Sequence, residues 1–340
     1  MHCRLCEAVE KGNLARLQRL LRGRFRRRPD VNAHHAGSGT LLNLASFAGH
    51  SEVVRWLLDN GAEINAESER GWTSLHSATL MGHGDVILLL LERGAQIDHQ
   101  DSDGATPLHE AIRREKFDVA ALLIESNANL ELQDAYGQLR GCTPLHWAVW
   151  ANSPGIAKRL LDKGANINAR DADGKTPLYY GACEGRTDIV KLLINNGADT
   201  SIANSRGRIP LHAAARNGHC DVVKRLMATE LQGVNVVDSD GHTPLYWAVS
   251  YGEREVIEYL IQQGADVNLD RGMYGVTPLH AAAQDRDHDM VRLLVEKGAD
   301  PSAEDHQGRT PLDYASGYAP VVNLLFQSGS TAHGSTSRSG

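Results

Sequence analysis

The chain has 340 residues, with 35 Lys and Arg against 42 Asp and Glu and a formal charge of −7. That balance argues against a general nucleic-acid binder, whose footprint is a broad basic surface. Apolar residues make up 41% and charged residues 23%, with no run near the ~20 apolar residues of a membrane helix, so a folded chain without a membrane segment is expected.

The start, "MHCRLCEAVEKGN", has no uninterrupted apolar stretch, and no secretory leader is expected. Residues 4–22 read as two short helices around Gly12, with Ala8, Leu14, Leu17, Leu20 and Leu21 facing inward and Arg4, Arg16, Arg19 and Arg22 outward. Cys3 and Cys6 have the spacing of half a zinc or redox site. No second ligand pair follows, so they read as small apolar residues. The five cysteines, Cys3, Cys6, Cys142, Cys183 and Cys220, are odd in number and scattered, which suits a reducing compartment.

Next comes "RGRFRRRPD" (22–30), five arginines in nine residues. Leu20-Leu21 lead to Asn32, whereas Leu57-Leu58 lead to Asn65, so four residues are inserted here. A buried guanidinium cluster would be too costly, so the loop is expected to be exposed. It reads as a solvated basic loop, a contact for an acidic or phosphorylated motif, or a nuclear-import or nucleic-acid element. An accessory contact is the most that one such loop supports.

From Thr40 onward one phrase recurs: "TLLNLA" at 40, "TSLHSA" at 73, "TPLHEA" at 106, "TPLHWA" at 143 and "TPLYYG" at 176. It continues as "IPLHAA" at 209, "TPLYWA" at 243, "TPLHAA" at 277 and "TPLDYA" at 310, with intervals of 33, 34 or 37 residues. Thr can cap a helix and Pro fits its first turn. Gly49, Gly82, Gly218 and Gly252 mark a turn, and a second helix follows, as in "EVVRWLLDNG" (52–61). Gly61, Gly94, Gly164, Gly197, Gly264 and Gly298 fall where a left-handed C-cap is expected. Such a pair cannot bury both sides alone, so neighbours must stack.

The pattern resembles the ankyrin repeat. Asp101, Gly104, Thr106-Pro107-Leu108-His109, Ala111, Val119 and Leu122-Leu123 carry the signature in one copy, and Gly218-His219 and Val222-Val223 extend it in another. The expected fold is all-α: an ankyrin-repeat solenoid of stacked helix-turn-helix units with β-turn arms. Ten repeats are counted, the first partial, over 1–329: a capping repeat 1–34, repeats 35–304 and a C-terminal capping repeat 305–329, then a disordered tail 330–340.

Register accounts for most other signals. His76, His109, His146, His212 and His280 hold the TPLH position, and His50, His83 and His219 follow the turn glycine; the resemblance implies hydrogen bonds between repeats. "DSDG" (101–104, 238–241) and "DADG" (171–174) look like calcium loops, but without further ligands they read as turns. Enzyme motifs are absent, so no catalysis, cofactor or metal is expected. Asn65, Asn168 and Asn268 resemble substrates of an asparaginyl hydroxylase, although a hairpin hydrogen bond explains them without modification.

The resemblance implies that tips and first helices line a concave face where partners dock. Counting from each Thr places Trp72, Met81, Arg113, Arg114, Trp150, Arg206, Arg208, Arg216, Tyr251 and Tyr274 there, and the insertion at 135–142 adds Tyr136. Trp, Tyr and Arg carry interface energy disproportionately. Trp147, Tyr180 and Trp247, four after their threonines, read instead as packing between repeats. The expected function is a non-catalytic protein-interaction scaffold, monomeric and cytoplasmic or nuclear, with a protein partner and neither nucleic acid nor membrane. Two alternatives stand beside it. One is a substrate-recruiting adaptor of a larger complex such as a ubiquitin ligase, for whose C-terminal box the short tail leaves no room. The other is a nuclear or nucleic-acid-associated regulator using loop 22–28.

Overall fold

The computed structural model describes residues 4–22, 30–35, 39–135, 137, 140–229, 233–269, 272 and 274–332. The chain divides into two compact units, 1–172 and 173–340. Described residues are helical apart from turns and one isolated bridge between His35 and Gly39.

In the first unit the helices come in pairs: α1 (Arg4–Glu10) with α2 (Leu14–Arg22), α3 (Leu41–Ala48) with α4 (Ser51–Asp59), and α5 (Ser74–Met81) with α6 (Gly84–Glu92). Then come α7 (Pro107–Arg113) with α8 (Phe117–Glu125) and α9 (Pro144–Trp150) with α10 (Pro154–Asp162). The second unit repeats the plan with α11 (Pro177–Cys183) and α12 (Thr187–Asn195), α13 (Pro210–Arg216) and α14 (Cys220–Met227), and α15 (Pro244–Ser250) and α16 (Arg254–Gln262). It ends with α17 (Pro278–Gln284) and α18 (His288–Glu296), and α19 (Pro311–Tyr314) and α20 (Ala319–Ala332). Within each unit the first helices pack on one another in chain order. The last helix continues through Ala332, so 330–332 extend α20 rather than opening the tail; 333–340, loop 23–29, Cys3 and Tyr136 lie outside the described residues.

Each first helix starts as the phrase dictates. Thr106 is extended at φ −88°, and its hydroxyl accepts from the His109 N–H at 3.4 Å. Thr40, Thr176 and Thr243 cap in the same way. Aliphatic side chains on both helices fill the core, with Leu42, Leu57, Leu75, Leu108, Ile112 and Leu123 fully enclosed in the first unit and Leu193, Leu260, Leu279 and Leu294 in the second. Each such burial stabilises by roughly 1.5–3 kcal/mol.

Histidines bind one repeat to the next. The Thr106 N–H donates to His109 Nδ1 at 3.2 Å, which assigns the ring proton to Nε2; Nε2 donates to the Cys142 carbonyl at 3.1 Å. His76 reaches the Ala105 carbonyl, His212 that of His242 and His280 that of Arg309. Asn43 reproduces the pattern without a ring: its Oδ1 accepts from the Thr40 N–H at 2.9 Å and its Nδ2 donates to the Trp72 carbonyl at 3.0 Å. Burial pushes His76, His109 and His212 down to about 4.

The second histidine class explains the turn glycine at Gly12, Gly49 and Gly185. His83 lies over Gly49, and a Cβ there would meet its ring at 2.6 Å; Nε2 reaches the Phe47 carbonyl at 3.0 Å. Glu115 occupies the same turn at φ 55°, and in the following repeat Ser153 holds the register place that His83 holds after Gly49. Polar side chains hold the arms. Asn65 Oδ1 accepts from the Gln96 N–H, Asn268 Oδ1 from the Asp300 N–H, and Asn268 Nδ2 donates to the Gly298 carbonyl. Asp101 accepts from the backbone of Asp103 and Ala105, and Asp238 from that of Asp240 and His242, so these aspartates are turn formers.

Candidate protein-interaction face

In each unit, side chains seven or eight residues after the capping position stand at the C-terminal ends of the first helices. In the first unit these include Phe47 and Met81, each 42% exposed, and Trp150, 44% exposed. Trp150 stands edge-on to Trp147 at 5.6 Å, and Trp147 is buried with its indole N–H donating to Asp134 Oδ2 at 2.8 Å. Phe47 escaped the sequence-based selection, although the same count from Thr40 reaches it. A hollow of about 530 Å³ opens between α3 and the next tip, lined by Leu44, Phe47, Trp72, Glu10, Glu69 and Arg70 among others.

Not every predicted contact residue is presented. Trp72 is half-buried, its indole N–H donating to Asp101 Oδ2 at 2.9 Å. Arg113 and Arg114 both grip the Glu110 carboxylate, itself 1% exposed. Arg113 is largely enclosed by that pairing, whereas the Arg114 side chain stays half exposed. A buried carboxylate needs such partners, and sequence spacing alone does not reveal that Glu110 is buried. Asp134 is pushed up to about 6 by burial, against the opposing Trp147 bond. In the insertion, Arg140 is exposed and its carbonyl accepts from the Ala172 N–H at 2.9 Å.

The second unit gathers several of the expected residues. Arg208 Nε donates to Asp238 Oδ2 at 3.1 Å, and its guanidinium lies 4.0 Å from the centre of the Trp247 ring. The Trp247 indole N–H donates to the same carboxylate oxygen at 3.0 Å. Burial pushes Asp238 up, but bonds from the His242 N–H, Trp247 and Arg208 outweigh it and hold the carboxyl below its ordinary range. Arg208 therefore serves the fold. Arg216 lies 4.5 Å from the Tyr251 ring centre and donates to its hydroxyl at 2.6 Å. Tyr251 is 49% and Tyr274 59% exposed, and Arg206 is exposed on its tip. Tyr180 is buried and Trp247 half-buried, in keeping with packing. Asp238, Asp240 and His242 bring ligand-type atoms together, but Asp238 is committed to the four bonds above and Arg208 supplies the positive charge there.

Comparison with known families agrees with this architecture. The description "Ankyrin repeats (3 copies)" matches residues 5–101, 95–171, 137–204, 178–271 and 268–334. The chain belongs to the ankyrin-repeat family, and its fold is an all-α ankyrin-repeat solenoid. Among solved structures it is similar to the ankyrin repeat domain of Bcl-3, described as a unique member of the IkappaB protein family. That match has 29% identity and a TM-score of 0.59, covering 66% of this chain and 98% of the other. Comparison with curated proteins gives no match. Among the described residues no helix is long and apolar enough to cross a membrane.

Proposed function

We propose that the chain is a non-catalytic scaffold that binds a partner protein through its tips and first helices. The carrying observation is register: Phe47 and Trp150 stand seven residues after the capping position and Met81 and Tyr251 eight, all at the ends of first helices, and all four remain 42–49% exposed. Aromatic and Met side chains are what protein interfaces concentrate. The helices that bear them are capped and packed before any partner arrives, so little ordering is lost on binding. The scattered cysteines suit a reducing compartment, the cytoplasm or nucleus.

The test is affinity capture with the wild-type chain beside a Met81→Ala/Trp150→Ala double variant, with circular dichroism as the folding control. Loss of a specific protein by a folded variant is the expected result. Retention of every captured protein would overturn the assignment of the face.

A further inference from the structure

Residues 201–220 contain Arg206, Arg208 and Arg216 and no Asp or Glu, in a chain whose net charge is −7. The fold makes this stretch the tip before α13 and α13 itself. Arg208 and Arg216 share the Trp247 ring, their guanidinium groups 4.0 Å and 5.8 Å from its centre, and Arg206 is exposed on the tip two residues before Arg208. They are not equivalent. Arg208 is neutralised by Asp238 at 3.1 Å and Asp240 at 3.7 Å. Among the described residues Arg206 and Arg216 form no ion pair, and the buried Arg216 Nε has no hydrogen-bond partner. Arg216 is held by the Tyr251 ring and hydroxyl, a neutral partner that fixes the guanidinium without cancelling its charge. Trp247 lies 5.8 Å from the same guanidinium.

One uncancelled cation held against a half-exposed aromatic ring, with a second exposed on the tip of the same repeat, forms a surface of defined chemistry. We propose that Arg206 and Arg216, with Tyr251 beside Arg216, dock an acidic peptide segment of a protein partner. An Asp or Glu carboxylate takes the guanidinium donors, and an apolar neighbour lies on the Tyr251 ring. Guanidinium forks suit carboxylates, and aromatic rings supply area at small entropic cost. Nucleic acid fits less well. Two free arginines neutralise only about two phosphates, whereas a duplex-binding surface needs a longer basic track. Asp240, 3.7 Å from Arg208, adds a negative charge that disfavours a polyanion. The inference rests on the scaffold reading of this face and adds the chemistry of the partner.

The test is fluorescence anisotropy with the full chain and a fluorescein-labelled eight-residue peptide of alternating glutamate and leucine. A peptide with lysine in place of glutamate and a labelled single-stranded DNA serve as comparisons. The glutamate peptide should bind, about tenfold or more tighter than either comparison, and weaken as salt rises. Arg206→Gln/Arg216→Gln should weaken it about tenfold, while Lys191→Gln, on α12, leaves it unchanged. If the double variant fails to fold, Arg206→Gln alone decides, because that side chain is exposed and unpaired.

No binding of the glutamate peptide, equal binding of the lysine peptide, tighter binding of DNA, or indifference to the arginine substitutions would overturn the proposal. Those outcomes leave the scaffold reading intact if Met81→Ala/Trp150→Ala still loses its captured protein. The scaffold reading fails separately if that variant keeps every partner.

Discussion

His109→Asn isolates what the buried histidines contribute. The ring is 1% exposed, and its Nδ1 must stay unprotonated to accept the Thr106 N–H. Burial lowers it from 6.5 to about 4. Between those values the unfolded chain takes up a proton that the folded chain refuses. Stability is therefore full above pH 6.5 and falls as the pH drops toward 4. At about 1.4 kcal/mol per pH unit, going from pH 7 to pH 5 removes about 2 kcal/mol through this one group. Asn43 already shows how asparagine makes both bonds at this position with nothing to titrate. Urea denaturation followed by circular dichroism at pH 7 and pH 5 reads the difference. The variant should lie within about 1 kcal/mol of wild type at pH 7 and lose about 2 kcal/mol less on going to pH 5. Equal losses in both proteins would refute the reasoning.

Three other perturbations follow from the same geometry. Glu115→Gly and Arg286→Gly, at φ 55° and 59°, should each raise stability by about 1 kcal/mol in urea denaturation, whereas Gly49→Ala should lower it because its Cβ meets the His83 ring. Arg208→Ala strips the buried Asp238 of its cation and should cost about 3 kcal/mol in the same assay, against less than about 0.5 for Arg206→Ala. Asp134 binds its proton more tightly when folded, up to about 6, so its charged form weakens the fold above that pH. Asp134→Asn should stabilise by about 1–2 kcal/mol at pH 8, a gain that shrinks as the pH falls below 6.

Much of the fold is legible because each repeat makes the same local decisions. A capping Thr, a Pro in the first turn, aliphatic spacing and a left-handed residue at each turn act within a few positions and return about every 33 residues. Asn127, at φ 62°, takes the C-cap place that glycine holds elsewhere, a variation the composition of the turn permits. The face is less legible. Register finds Met81, Trp150 and Tyr251 because exposure there follows from position on the helix. It overstates Arg113 and Arg208, because their direction depends on buried carboxylates. Glu110 is a near neighbour on the helix, but Asp238 comes thirty residues later, in the next repeat. Charge counts as exposed in a sequence until its counter-ion is located, and that is a property of packing.

Recognition through tips and first helices is tested most directly by amide hydrogen exchange of the chain with and without the protein it captures. Protection should gather on the tips and the C-terminal ends of α3, α5, α9, α13 and α15. Protection confined to second helices such as α4, α8 and α14, with the first helices exchanging as in the free chain, would contradict it.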